Sequence, residues 1–173
     1  MKKAVITTGK LVQDHEFIYP YYRLQEDGFH VDVAIRNMET VQGQIGTKIV
    51  PTTDINGLKV DDYDLLVIPG GAKCMEYLRQ DQELIDFIIK FNKKGKVIAS
   101  ICHGSQLLIS ARVVVGRKIS GYYSIKDDIN NAGATYVDAP AVVDGNLVTS
   151  PHYKYLGDWM RETLKLYNVL SKK

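Results

Sequence analysis

The chain has 173 residues, 45 % of them hydrophobic and 24 % charged, which is the make-up of one folded domain, 1–173, with a real core. Its net charge of +2 leaves no electrostatic footprint for nucleic acid, and no apolar run reaches transmembrane length, so neither nucleic acid nor membrane is an expected partner. Two cysteines, Cys74 and Cys102, are too few for a disulfide framework and point to the cytoplasm.

Met1-Lys-Lys3 resembles the start of a signal segment, but the apolar run after it is too short and meets Gly9-Lys10. Lys3 to Thr8 therefore reads as a first strand. Asp14 to Asp27 reads as a helix, with Asp14 able to cap it, Phe17, Tyr21 and Leu24 on one face, and Gly28 ending it. Pro20 lies near its start and bends the first turns. Val31 to Ile35 gives a second strand, completing a βαβ unit and implying a parallel sheet. Asn37 to Asp62, rich in Gly, Thr and Asp, reads as a small hairpin at the edge. Leu65 to Ile68 is a buried strand ending at Pro69-Gly-Gly71. Glu76 to Asn92 reads as one helix with Leu78, Leu84, Ile88 and Phe91 inward. Val97 to Ile101 is a further buried strand. Arg117 to Ser120 is a short strand, Ile125 to Ala132 a short helix, and Tyr136-Val137 and Val142-Val143 are strands. Asp144-Gly145 makes a tight turn into Leu147-Val-Thr149. Tyr153 to Leu170 closes the chain as a helix, with Leu156, Met160, Leu164 and Tyr167 on one face. This alternation predicts a three-layer α/β sandwich with a mostly parallel central sheet.

The chemistry concentrates after the central strand. Cys102 stands between Val97–Ile101 and the helical run Ser105–Ala111, with His103 and Gly104 beside it. A sharp strand-to-helix turn exposes a side chain as a nucleophile elbow does, and the helix start favours thiolate. The pattern favours a reactive cysteine over a buried structural one. His103 is either a base or a residue that lends only its backbone N–H, since neighbours at a turn point apart. Gly70 and Gly71 could aim N–H groups at a pocket and, with the N–H of His103, form an oxyanion hole, or they could be a plain turn. Glu16 sits at a helix start, where acids are common for dipole reasons. Placed beside a thiolate it would be protonated and donate to sulfur. In open α/β sheets sites form at the carboxyl ends of strands, so Glu16, Gly70-Gly71 and Cys102 converge if their three strands are neighbours. No Cys/His cluster has metal-ligand spacing and the glycines form no phosphate-binding fingerprint, so neither metal nor cofactor is expected. Cys74 reads as a bystander thiol.

These residues carry a resemblance. Asp14-His-Glu-Phe-Ile-Tyr-Pro20, Val67-Ile-Pro-Gly-Gly71, Ala99-Ser-Ile-Cys-His-Gly104, Ile125-Lys-Asp-Asp128, Asn131-Ala-Gly-Ala134 and Val142-Val-Asp-Gly-Asn-Leu-Val-Thr-Ser150 resemble the PfpI family of intracellular proteases. The wider group includes the Parkinson-disease-associated deglycase and the glutamine-amidotransferase-like proteins. The resemblance covers nearly the whole chain and implies a flavodoxin-like fold. It implies Cys102 as nucleophile, Glu16 as the carboxyl touching its sulfur, and His103 as the catalytic histidine. Gly71 and His103 would supply the oxyanion hole, with Gly70 and Tyr122 at the rim. Glu76 would reach His103 of a neighbouring subunit in a homo-oligomer, a dimer or hexamer with the site near the interface. Gln13 stands where the family tends to carry an acid, Ser105 replaces a Pro, and Pro151 an Arg. The leading expectation is a Cys-dependent hydrolase of the peptidase or amidase type. A glutathione-independent glyoxalase or deglycase acting on methylglyoxal-type aldehydes is the alternative, and a redox-sensing stress protein the third. The substrate is accordingly a small molecule or a peptide.

Overall fold

The computed structural model describes residues 1–173. Strand β1 (Lys3–Thr7) is followed by helix α1 (Asp14–Glu26), β2 (His30–Ala34) and a hairpin of β3 (Val41–Gln42) and β4 (Lys48–Ile49). Next come β5 (Leu65–Ile68), α2 (Ala72–Leu78), α3 (Gln82–Lys93), β6 (Val97–Ile101) and α4 (Ser105–Ser110). The last part is β7 (Lys118–Ile119), α5 (Lys126–Asn131), β8 (Thr135–Tyr136), β9 (Val142–Asp144), β10 (Leu147–Ser150) and α6 (Leu156–Leu170).

Six strands form one sheet in the order β2-β1-β5-β6-β10-β9, and only the β9–β10 pair is antiparallel. The strands β1, β5 and β6 are thus neighbours, with Ile6 opposite Val67 and Val67 opposite Ala99. Every residue of β5 and β6 is buried, as a sheet covered on both faces requires. Helices α1 and α6 pack together, with α6 on β6 and β10; α2 and α3 pack on α4, and α3 on β6. This is the expected three-layer sandwich. Trp159 and Phe91 are fully buried within the core that joins the layers.

Four local expectations change. Gln13, not Asp14, caps α1: its side-chain oxygen accepts from the Glu16 N–H at 3.0 Å. The buried Asp14 carboxylate instead accepts from the N–H groups of Ile45 and Thr47, both at 2.9 Å, and so pins the β3–β4 hairpin to the start of α1. Backbone and hydroxyl hydrogen bonds from that hairpin hold its pKa below the ordinary value despite burial. A Cβ at Gly43 would collide with it. The helix expected over 76–92 is two helices, because Asp81 caps α3 by accepting from the Leu84 N–H at 3.2 Å. Arg36 also grips Asp81 and donates to Glu83 at 2.7 Å, fixing that break. The strand near 117–120 leaves the main sheet and pairs in parallel with β8. The closing helix starts at Leu156, after a short 3₁₀ turn over Tyr153–Tyr155.

Candidate active site

Three strand ends build the site. From β6 the chain turns into Cys102 with φ +59°, the left-handed region that side chains rarely adopt. Such a residue costs on the order of 1–3 kcal/mol and persists only where its surroundings hold it. Here the Cys102 carbonyl accepts from the Tyr122 N–H at 3.0 Å, and α4 begins at once behind it. The turn leaves Cys102 7 % exposed, just reaching the surface.

From β1, the loop into α1 delivers Glu16. It is fully buried, and one carboxyl oxygen accepts from the Gly70 N–H at 2.8 Å. The other oxygen has no hydrogen-bond partner, and the Cys102 thiol lies near enough to couple to the carboxyl's titration. From β5, Pro69-Gly70-Gly71 closes the third side. A Cβ at Gly70 would lie 2.6 Å from Glu16 Oε1, 2.8 Å from the Ile101 carbonyl and 2.9 Å from Cys102 Cβ, so only glycine lets the acid, the strand and the elbow approach. Gly71 has φ +102° and would meet the Leu11 carbonyl at 2.7 Å. Its N–H and that of His103 lie near enough to the sulfur to draw the thiol's pKa down. A tetrahedral centre formed on sulfur would find two donors for its oxyanion there.

Burial drives Glu16 up to about 8, so the carboxyl carries its proton at neutral pH, the state expected for an acid beside this sulfur. Burial likewise pushes the Cys102 thiol up, and charge on Glu16 would push it further. The N–H groups of His103 and Gly71 pull it down. The start of α4 and these N–H groups favour the thiolate, and burial opposes it. Acid and thiol titrate as one coupled pair, and ionisation of the sulfur depends on the carboxyl keeping its proton.

His103 lies half-buried, with Nδ1 3.4 Å from the Cys102 sulfur and Nε2 3.4 Å from Ser124 Oγ. Its ring stacks on Tyr122 at 4.7 Å, and burial lowers its pKa. Tyr122 continues through His152 and Tyr153 to His15, each ring within 6.2 Å of the next, an aromatic wall on one side of the sulfur. The structure thus brings Cys102, Glu16, His103, Gly70, Gly71 and Tyr122 together. Glu76 does not join them within the chain: it is exposed on α2 and accepts from Lys73 at 2.7 Å. Cys74 is sealed under α2, where burial pushes its thiol up to about 12. No group of three or more His, Cys, Asp or Glu side chains could hold a metal ion. No helix is long and apolar enough to cross a membrane.

Sequence reasoning passed over Ser124 and His152. Neither has a spacing signal, because both reach the site from separate loops. Of the departures noted above, Gln13 supplies the cap of α1 and Ser105 Oγ donates to the Ser120 carbonyl at 2.8 Å, a bond no proline makes.

Comparison with known proteins accords with this geometry. The chain is 42 % identical over 164 residues to a deglycase of Pyrococcus horikoshii, covering 95 % of this chain and 98 % of that one. A Bacillus subtilis protein whose name provisionally makes it a cysteine protease is 36 % identical over 166 residues, covering 95 % and 97 %. Among solved structures, a two-domain protein of Anabaena variabilis with DJ-1/ThiJ/PfpI-like and ferritin-like domains superposes with a TM-score of 0.93 at 33 % identity. That match covers 95 % of this chain and 48 % of that one. Residues 2–166 match the DJ-1/PfpI family as a whole, and the chain belongs to that family.

Proposed function

We propose that the protein is a Cys102-dependent enzyme of small α-oxoaldehydes and their amine or thiol adducts, a deglycase and glyoxalase that needs no glutathione. One observation carries this reading: Cys102 is only 7 % exposed and its acid partner is fully buried. A small carbonyl compound reaches such a sulfur far more readily than the backbone of a folded protein does. The widest surface cavities, of about 670 and 740 Å³, run along α1 and α6 and do not include Cys102.

The sulfur adds to the aldehyde carbon of methylglyoxal. A C–S bond forms, and the carbonyl π pair moves to oxygen between the N–H groups of Gly71 and His103, where it takes a proton. The proton on that carbon then passes to the neighbouring ketone carbon, and the hemithioacetal becomes a thioester of lactate. Water cleaves the C–S bond, releasing lactate and restoring the thiol. One carbon is oxidised as its neighbour is reduced, so no outside redox partner enters. Glu16, with a pKa near 8, and His103, neutral at pH 7, are matched to moving these protons. An amine or thiol adduct enters by exchanging its amine or thiol for the sulfur.

Lactate formation from methylglyoxal by the purified protein tests this. It should vanish in Cys102→Ser and fall steeply in Glu16→Gln. Undiminished lactate in Cys102→Ser would overturn the reading. The peptidase reading rests on the same pair of N–H donors, which also suit an acyl intermediate. It predicts Cys102-dependent cleavage of peptide amides with no lactate.

We further propose a cytoplasmic homo-oligomer, dimer or hexamer. Both thiols are unpaired, and α1 and the hairpin expose Ile18, Tyr19, Tyr22, Ile45 and Val50. Light scattering should give a multiple of the 19.5 kDa chain, reduced by Ile18→Asp.

A further inference from the structure

The ring of His103 has two nitrogens, and the chain itself occupies both. One faces the Cys102 sulfur; the other meets Ser124 Oγ. We propose that Ser124 is the positioning residue for His103: its hydroxyl accepts from Nε2–H and so turns the Nδ1 lone pair toward the Cys102 thiol. A histidine that takes a thiol proton needs its far nitrogen held by a group that can accept, as a carboxylate does in serine proteases. A serine hydroxyl accepts as well, but it brings no charge and so does not require an imidazolium.

The placement is built, not incidental. Ser124 lies in a short 3₁₀ turn, Tyr123–Ile125, at the end of a loop tied down at three points and closed by one bond of its own. Ser105 Oγ donates to the Ser120 carbonyl at 2.8 Å, and the Ser120 N–H donates to Thr149 Oγ1 at 2.7 Å. The Tyr122 N–H donates to the Cys102 carbonyl at 3.0 Å, and the Ile125 N–H to the Tyr122 carbonyl at 3.0 Å. A Cβ at Gly121 would lie 3.2 Å from Ser105 Cβ and 2.9 Å from Ile129 Cδ1, so the loop lies flat on α4 and α5. The Tyr122 ring then fixes the plane of the imidazole by stacking. Ser105, which stands where the resemblance leads one to expect proline, thus holds the loop that carries Ser124. Within one chain the sulfur and the Ser124 hydroxyl face the two ring nitrogens of His103. An acid arriving there would have to displace Ser124, and Glu76 is already engaged by Lys73.

The inference concerns the histidine of the proposed site, but its test does not depend on the substrate. With ¹⁵N-histidine label in the full-length protein, at a pH where His103 is neutral, its two ¹⁵N shifts should report the Nε2–H tautomer. Alkylation of Cys102 by iodoacetamide is followed in parallel. Ser124→Ala should shift this signal toward a mixture of tautomers and slow alkylation about fivefold, the effect of one net hydrogen bond. Ser124→Thr should restore both, and Ser105→Ala should weaken both to a lesser degree. Glu76→Gln should change neither. A signal and rate untouched by Ser124→Ala, or lost in Glu76→Gln, would overturn the proposal. If lactate never forms but the Ser124 effects appear, the substrate assignment fails and this one stands.

Discussion

Two cysteines lie in this core, and their surroundings differ in everything but burial. Cys74 is fully buried in the middle of α2, and desolvation raises its thiol. Cys102 is nearly as buried, and desolvation raises it too. Around Cys74 the polar groups that bear on its titration are only Thr8 and the Gly9 backbone. Around Cys102 stand a protonatable acid, two nearby N–H groups, an imidazole and a backbone forced to φ +59°. Depth in the core therefore does not distinguish the two thiols, and the reactivity proposed for Cys102 rests on its proton partner and on the donors that would favour the anion.

The sharpest way to break this comparison is to remove each sulfur. Cys102→Ala should lower kcat/KM for lactate formation by at least about 10⁴-fold, as loss of a nucleophile does. The next largest effect is at the acid. Glu16→Gln keeps an acceptor for the Gly70 N–H but cannot move a proton, so the rate should drop roughly 10²- to 10⁴-fold. Stability carries a second signature. The folded pKa of about 8 lies above the ordinary 4.5, so the folded protein holds a proton that the unfolded chain has released. That stabilisation is complete below pH 4.5 and is lost as pH rises through about 8. The unfolding free energy of the wild type, measured by urea titration, should fall across this window by several kcal/mol relative to Glu16→Gln, because each pH unit within it is worth about 1.4 kcal/mol. Parallel curves for the two proteins would show the carboxyl to be charged already.

A pair of glycines extends the same contrast to the backbone. Gly70→Ala drives a methyl into Glu16, the Ile101 carbonyl and Cys102 Cβ, and should cost about 1–3 kcal/mol as well as most of the activity. Gly9→Ala beside Cys74 meets Leu78 at 3.5 Å and the sulfur at 3.8 Å, ordinary contacts, and should be tolerated. Thermal melts of the two variants check this directly; equal losses would mean that the elbow is no more closely fitted than the rest of the core.

The sequence showed the strand order's consequence before the order itself. Buried runs at Leu65–Ile68 and Val97–Ile101 and the βαβ opening made a parallel sheet the only economical reading, and its carboxyl ends put Glu16, Gly70-Gly71 and Cys102 together. The break at Asp81 was missed because Leu78, Leu84, Ile88 and Phe91 keep a helical period across it, while the Arg36 contact that fixes the break comes from far along the chain. Asp14 was misread for a related reason: a cap and a clamp need the same residue type, and only the hairpin at Ile45 and Thr47 decides between them. The state of the sulfur was least legible. A helix start can be read from sequence, but the depth of burial that outweighs it comes from layers assembled by the whole chain.

The smallest expected effect is at the second cysteine, and the comparison leans on it most. Cys74→Ala removes one sulfur from a fully buried site, against Gly9 and under α2, and should cost about 1 kcal/mol with the small cavity left behind. It should leave lactate formation unchanged, because nothing joins Cys74 to the acid or to the N–H groups near Cys102. Mild peroxide offers the complementary reading by intact mass: oxygen should add at Cys102, which is slightly exposed and has a proton partner, before the fully buried Cys74. Were Cys74 oxidised first, or its loss felt in turnover, the surroundings of Cys102 would not be what makes its sulfur special.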